Sequence, residues 1–81
     1  MELQVRLFAS LKEIAGSSQV LIKIQDRAAV SDLLLELFKI FPQMQAYSGT
    51  ILVSINLEYA DRSQLIKSGD EISIFPPVSG G

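Results

Sequence analysis

The sequence predicts an α+β domain, a mixed sheet of four to five strands covered by one main helix. Three observations predict it. Short segments with period-two hydrophobicity lie towards both ends of the chain, residues 30–41 have the period of an amphipathic helix, and glycine, proline and asparagine punctuate the joins. A chain of 81 residues has one small core, burying about 60% of its unfolded surface, and no room for a deep private active site.

Leu3, Val5 and Leu7 alternate with Glu2, Gln4 and Arg6, so a half-buried strand is expected over residues 2–8. Residues 9–15 are rich in helix formers and Gly16 follows as a stop, which fits a short helical turn. After Ser17 and Ser18, Val20, Ile22 and Ile24 alternate with Leu21, Lys23 and Gln25 in a second strand. The compact connection favours antiparallel pairing of the two strands.

The main helix follows. Val30, Leu33, Leu34, Leu37, Phe38 and Phe41 recur at the spacing of one helical face. Asp32 and Glu36 near its start and Lys39 near its end suit the helix dipole. Pro42 ends it, because the ring pushes Phe41 out of helical geometry. The start is poorly marked, since Ala29 is a weak N-cap and Ser31 would shorten the helix.

Residues 43–50, polar and containing Gly49, are expected to form a loop. The β-branched apolar run 51–55 is expected inside the sheet. A turn at Asn56, a short strand at Glu58 and Tyr59, and a turn at Ser68, Gly69 and Asp70 lead to a last strand, residues 71–75, with Ile72 and Ile74 inward. Pro76 and Pro77 lack N–H groups and end it. The helix supplies the crossover that lets the first and last strands lie parallel. The resulting order, β-β-α-β-(β)-β, is the ubiquitin-like β-grasp arrangement.

Composition excludes several functions. Seven Lys and Arg against nine Asp and Glu give a net charge of −2, which disfavours nonspecific nucleic-acid binding. The absence of Cys removes disulfides, thiolate metal sites, a Cys nucleophile and a persulfide held on the chain itself. The absence of His removes the commonest general base and transition-metal ligand, and no metal site is expected. No apolar run approaches the roughly 18–20 residues of a membrane span. The first residues lack the basic start and apolar block of a signal peptide, so no membrane partner and a cytoplasmic location are expected. The carboxylates Asp26, Asp32, Glu36, Glu58, Asp61, Asp70 and Glu71 are dispersed and form no catalytic constellation. Asp70 reads as a turn residue and Glu71 as part of a solvated edge.

The informative feature is the ending, Phe75-Pro76-Pro77-Val78-Ser79-Gly80-Gly81. A terminal carboxylate, with a reference pKa of about 3.3–3.7, is ionised at neutral pH and must be activated, for instance by adenylation, before it reacts as an electrophile. Gly80 and Gly81 have no Cβ and can thread a narrow channel where phosphates approach the backbone. Pro76 and Pro77 hold the preceding segment extended. The expected division is a β-grasp domain over residues 1–77 and a flexible, projecting tail over 78–81. A frayed, inert end is the plainer reading of the same residues.

Residues 69–81, GDEISIFPPVSGG, resemble the C-terminal signature of the small, sulfur-carrying subunits of molybdopterin synthase. Val5-Arg6-Leu7-Phe8-Ala9, with Leu11-Lys12-Glu13 and Ala15-Gly16, is similar to that family's opening strand and turn, and Ser54-Ile55-Asn56 with Glu58-Tyr59 to its middle segment. Tyr59 departs in detail, since relatives also have an aliphatic residue there. The resemblance implies that an ATP-using activating enzyme of the ubiquitin-E1 type adenylates Gly81. Sulfur from a desulfurase or rhodanese-like donor then displaces AMP and leaves a thiocarboxylate. The charged tail, Val78, Ser79, Gly80 and Gly81, enters the large synthase subunit behind Pro76 and Pro77, and two deliveries turn cyclic pyranopterin monophosphate into the molybdopterin dithiolene. It further implies that Phe8, Tyr59 and Phe75 bind both partners, that two small and two large subunits assemble, and that the chain binds no cofactor directly.

The residues support this sulfur logic from their own side. Without Cys, the terminal carboxylate is the remaining place to hold sulfur. A thiocarboxylate is an anionic nucleophile at neutral pH and needs no base on the carrier. Periodicity sets Phe8 and Phe75 opposite the inward Leu7 and Ile74; covering sheet edges is the plainer role for both rings. Leu35 falls off the helix's inner stripe and reads as ordinary surface. Three other functions use the same features: a sulfur carrier for thiazole, tRNA thiolation or cysteine synthesis; a ubiquitin-like modifier joined to lysines through Gly81; and an interaction domain with an inert tail.

Overall fold

The computed structural model describes residues 1–77. Its elements in chain order are β1 (Glu2–Leu7), α1 (Ala9–Ala15), β2 (Gln19–Lys23), α2 (Val30–Ile40), a 3-10 helix (Pro42–Tyr47), β3 (Leu52–Ile55), β4 (Glu58–Ala60) and β5 (Ile72–Phe75). The five strands form one mixed sheet in the order β2-β1-β5-β3-β4. β1 pairs antiparallel with β2, and parallel with β5 through Val5 beside Ile72 and Leu7 beside Ile74. β3 runs antiparallel to both β5 and β4. This is the β-grasp topology read from the sequence, with the last strand in the middle of the sheet.

One face of the sheet packs on α2. Leu3, Val5 and Leu7 of β1, Ile72 and Ile74 of β5, and Val53 and Ile55 of β3 are buried against Val30, Leu33, Leu34 and Leu37 of α2. Strand alternation and helical periodicity thus meet in one core, and each fully buried aliphatic side chain contributes about 1.5–3 kcal/mol.

The start of α2 is fixed by neighbours rather than by a good cap. Ala29 has no side-chain acceptor, so Asp32 makes one half of a capping box, its Oδ2 accepting from the Ala29 N–H at 2.9 Å. The first two helical N–H groups are taken by a distant segment: Val30 donates to Gln64 O at 2.9 Å and Ser31 to Arg62 O at 3.0 Å. The far end stops as Pro42 requires, with Phe41 extended at φ −126°, ψ 80°.

One segment differs from the sequence expectation, while the turn at Asn56 and the short strand after it are found as expected. Most of the segment expected to be a loop is the 3-10 helix Pro42–Tyr47. Pro42 presets the first helical φ, and the turn buries Met44 completely, an apolar contact that the surrounding polar residues obscure. The β3–β4 connection is a two-residue hairpin, with Ile55 facing Glu58 and both Asn56 (φ 53°) and Leu57 (φ 72°) left-handed. Asn tolerates that conformation; Leu does so at a steric cost. No helix among the described residues is long and apolar enough to cross a membrane.

Candidate partner-binding face

The sheet face turned away from α2 is built by the same alternation. Since Leu7 and Ile74 are paired and point inward, the next residues, Phe8 and Phe75, emerge side by side on the outer face. Their rings stack with centroids 4.6 Å apart and planes inclined by 17°, a favourable aromatic geometry. Leu52 faces Phe75 across the β3–β5 pair and is 41% exposed, close to the 39% of Phe8. Phe8, Phe75 and Leu52 therefore form an apolar row over three adjacent strands. One step back along the strands, Tyr59, Ser54, Ser73 and Arg6 form a second row. Tyr59 is 76% exposed, and Arg6 is ion-paired with Glu71 at 3.6 Å. The two serines keep the middle of this row low between Tyr59 and Arg6.

Phe8 is also the N-cap of α1, its carbonyl accepting from Leu11 N–H at 3.1 Å and Lys12 N–H at 3.4 Å. Ala9 is left-handed at φ 51°. The chain thus bends sharply after Phe8, leaving the ring outside and turning Leu11 into the core, where it is fully buried. A left-handed Ala costs about 1–2 kcal/mol.

The structure places Phe8, Tyr59 and Phe75 on one face. The two phenylalanines do not cover sheet edges, because β1 and β5 are interior strands. Pro76 is half-buried and Pro77 exposed, and both continue directly from β5 beside the aromatic stack. Val78, Ser79, Gly80 and Gly81 lie outside the described residues. Leu35 is exposed on α2. Sequence reasoning missed Leu52, whose outward position follows from alternation with the buried Ile51 and Val53, and Leu57, 88% exposed at the hairpin tip beside Tyr59.

In the turn after β4, next to the segment that meets the start of α2, one carboxyl is shifted by its neighbours. Asp61 has its carboxyl held below the usual carboxylate range, chiefly by the Ser63 hydroxyl, which donates to Oδ1 at 2.6 Å, and then by the Ser63 N–H at 2.8 Å. No group of three or more His, Cys, Asp or Glu side chains among the described residues could hold a metal ion. Aromatic rings, one ion pair and small hydroxyls make a surface suited to association rather than to bond making.

Fold and face define a ubiquitin-like β-grasp protein that presents its outer sheet surface next to the exit of its last strand. The chain belongs to the ThiS family, whose profile matches residues 5–81. The molybdopterin synthase sulfur carrier subunit of Dictyostelium discoideum is 39% identical, over 99% of this chain and 96% of its own length. Small archaeal modifier protein 1 of Haloferax volcanii is 36% identical, over 94% of this chain and 97% of its own, and its crystal structure superposes with a TM-score of 0.84 over all of both chains, at 34% identity. A chain in the complex of subunits 1 and 2 of the molybdopterin-converting factor from Helicobacter pylori 26695 superposes with a TM-score of 0.69 at 26% identity, again over all of both chains.

Proposed function

We propose that this chain is the sulfur carrier subunit of a molybdopterin synthase. In this reading the Gly81 carboxylate attacks the α-phosphate of ATP on an activating enzyme of the E1 type, and pyrophosphate leaves. Sulfur from a desulfurase or rhodanese-like donor then replaces AMP on the acyl carbon, giving a thiocarboxylate. That thiocarboxylate supplies sulfur to cyclic pyranopterin monophosphate in the active site of a large subunit, with two small and two large subunits in the assembly, in the cytoplasm. ATP belongs to the activating enzyme, and general acid–base work to the large subunit.

The observation that supports this reading best is the position of the Phe8–Phe75 stack at the foot of Pro76 and Pro77. A protein seated on the outer face is thereby placed to receive the residues that follow Pro77. The H. pylori complex of subunits 1 and 2 and the Cys-free composition support it as well. The test is intact-mass analysis after incubation with the activating enzyme, ATP and a sulfur donor. An oxygen-to-sulfur increment confined to Gly81 is the expected result, and an unchanged mass rejects the reading.

A second reading, a ubiquitin-like modifier, is favoured by the close superposition on small archaeal modifier protein 1. It uses the same adenylate but passes the acyl group to a lysine amine. Lysine-linked adducts in cell extracts, without a thiocarboxylate, are its signature.

A further inference from the structure

At the end of the sheet where β1 begins, residues 26–31 and 62–68 run side by side. Ile66 donates its N–H to Ala28 O at 2.8 Å, and Ala29 and Leu65 form an isolated antiparallel bridge. The Lys67 N–H is held by Asp70 Oδ2 at 2.8 Å, and the Asp70 N–H returns to Lys67 O at 3.1 Å. Between these tied segments opens a pocket of about 570 Å³. The buried Ile66 lines it, with Leu65 beside it 56% exposed. Arg27 and Lys67 stand at its mouth, both exposed, Arg27 on a left-handed backbone at φ 65°.

The local charge is opposite to that of the whole chain. Arg27 and Lys67 make no ion pair among the described residues. Asp26, also at the pocket, has its carboxylate 3.4 Å from the amino terminus. An apolar recess with two free cations at its mouth therefore sits on a chain of net charge −2.

We propose that this pocket docks an acidic peptide segment of a partner protein. An apolar side chain of the segment enters beside Leu65 and Ile66, and carboxylates on either side of it pair with Arg27 and Lys67. Charge complementarity selects that occupant. A second copy docked through the same pocket brings the same two cations to face them and is repelled. A peptide anchor is covered by its own flanking residues as well as by the pocket walls. Because backbone hydrogen bonds hold both walls, little ordering cost is left for binding. The site is distinct from the aromatic face. With a rise of about 3.3 Å per residue, Met1 and Phe8 lie about 23 Å apart along β1, so a partner here leaves Phe8, Phe75 and the strand exit open.

The test is an amide-shift titration of the isotope-labelled protein with an acetylated, amidated peptide of sequence EELFEE. The expected result is saturable shifts confined to residues 26–28 and 65–68, with Kd raised about fivefold in Lys67→Glu and in Arg27→Glu, since reversal turns an attraction into a repulsion of similar size. Leu65→Ser is expected to weaken binding with the charges intact. All three side chains are exposed, and superimposable spectra outside the pocket verify the fold. Absence of saturable shifts, shifts confined to Phe8, Tyr59 and Phe75, or an unaltered Kd in the charge reversals overturns the proposal. Concentration-dependent shifts of the same residues without peptide also overturn it, by identifying a second copy as the occupant.

Discussion

The side-chain amide of Asn56 donates to Asp70 Oδ1 at 3.1 Å, tying the β3–β4 hairpin to the turn that leads into β5. The same side chain accepts the Glu71 N–H through Oδ1 at 3.0 Å, and its backbone N–H donates to Glu71 O at 2.8 Å. Asn56 is left-handed, a conformation its short polar side chain tolerates. Asn56→Ala removes two side-chain hydrogen bonds and places a poorer residue at positive φ. The expected loss is about 2 kcal/mol, read as a lower midpoint in urea unfolding with an unchanged slope.

Leu57 follows in the same hairpin, exposed and left-handed without a polar group to compensate. Leu57→Gly is expected to raise stability by about 0.5–1 kcal/mol, the steric relief exceeding the entropy cost of glycine. If Leu57 contributes to the partner face, the same variant binds the large subunit more weakly, so calorimetry of folding and of binding should move in opposite directions.

Phe75→Ala is expected to weaken association with the large subunit by about 1 kcal/mol or more, because it deletes one ring of the stack and uncovers Phe8 and Leu52. Titration calorimetry checks this, and an unaltered Kd places the interface elsewhere. Leu37→Ala, deep under the sheet, is expected to cost about 2–5 kcal/mol of folding stability without changing binding per folded molecule.

Removal of Gly81 is expected to abolish sulfur transfer while leaving the melting temperature nearly unchanged, since the core cluster is built from residues between Leu3 and Ile74. A mass spectrum without the sulfur increment, beside an unchanged thermal transition, is the expected pair of results.

Asp61 supplies a pH dependence with a definite sign. Its carboxyl is held below the usual carboxylate range by Ser63, so the folded state binds the proton less readily than the unfolded state, whose value is about 3.9. The stabilisation is present above that value and is lost as pH falls through the lowered folded value. Asp61→Asn keeps an oxygen to accept from Ser63 but cannot titrate. The gap in melting temperature between parent and variant is expected to narrow below about pH 4.

The strands and the main helix were legible because each has one buried face, and burial writes its period into the sequence: Leu3, Val5 and Leu7 at period two, Val30, Leu33, Leu34 and Leu37 at the helical period. The outer positions of Phe8 and Phe75 followed from the same rule, although their stacking depends on strand pairing that no local pattern encodes. The 3-10 helix was not legible, since Met44 alone is buried there and a single apolar residue sets no period. The start of α2 at Val30 was read from its periodicity, but its capping was not, because the groups that satisfy it belong to Arg62 and Gln64. The pocket at Arg27 and Lys67 was hidden for the same reason: its walls come from segments far apart in the chain.

The middle position of β5 has a mechanical consequence. Its neighbours β1 and β3 grip it along both sides, with bonds running across the strand axis. A pull along the axis of β5 therefore loads the bonds on both sides together in shear, where a rim strand has one neighbour to resist the same pull. On the proposed function, a partner that draws on the end of β5 works against two strands' worth of hydrogen bonds rather than one.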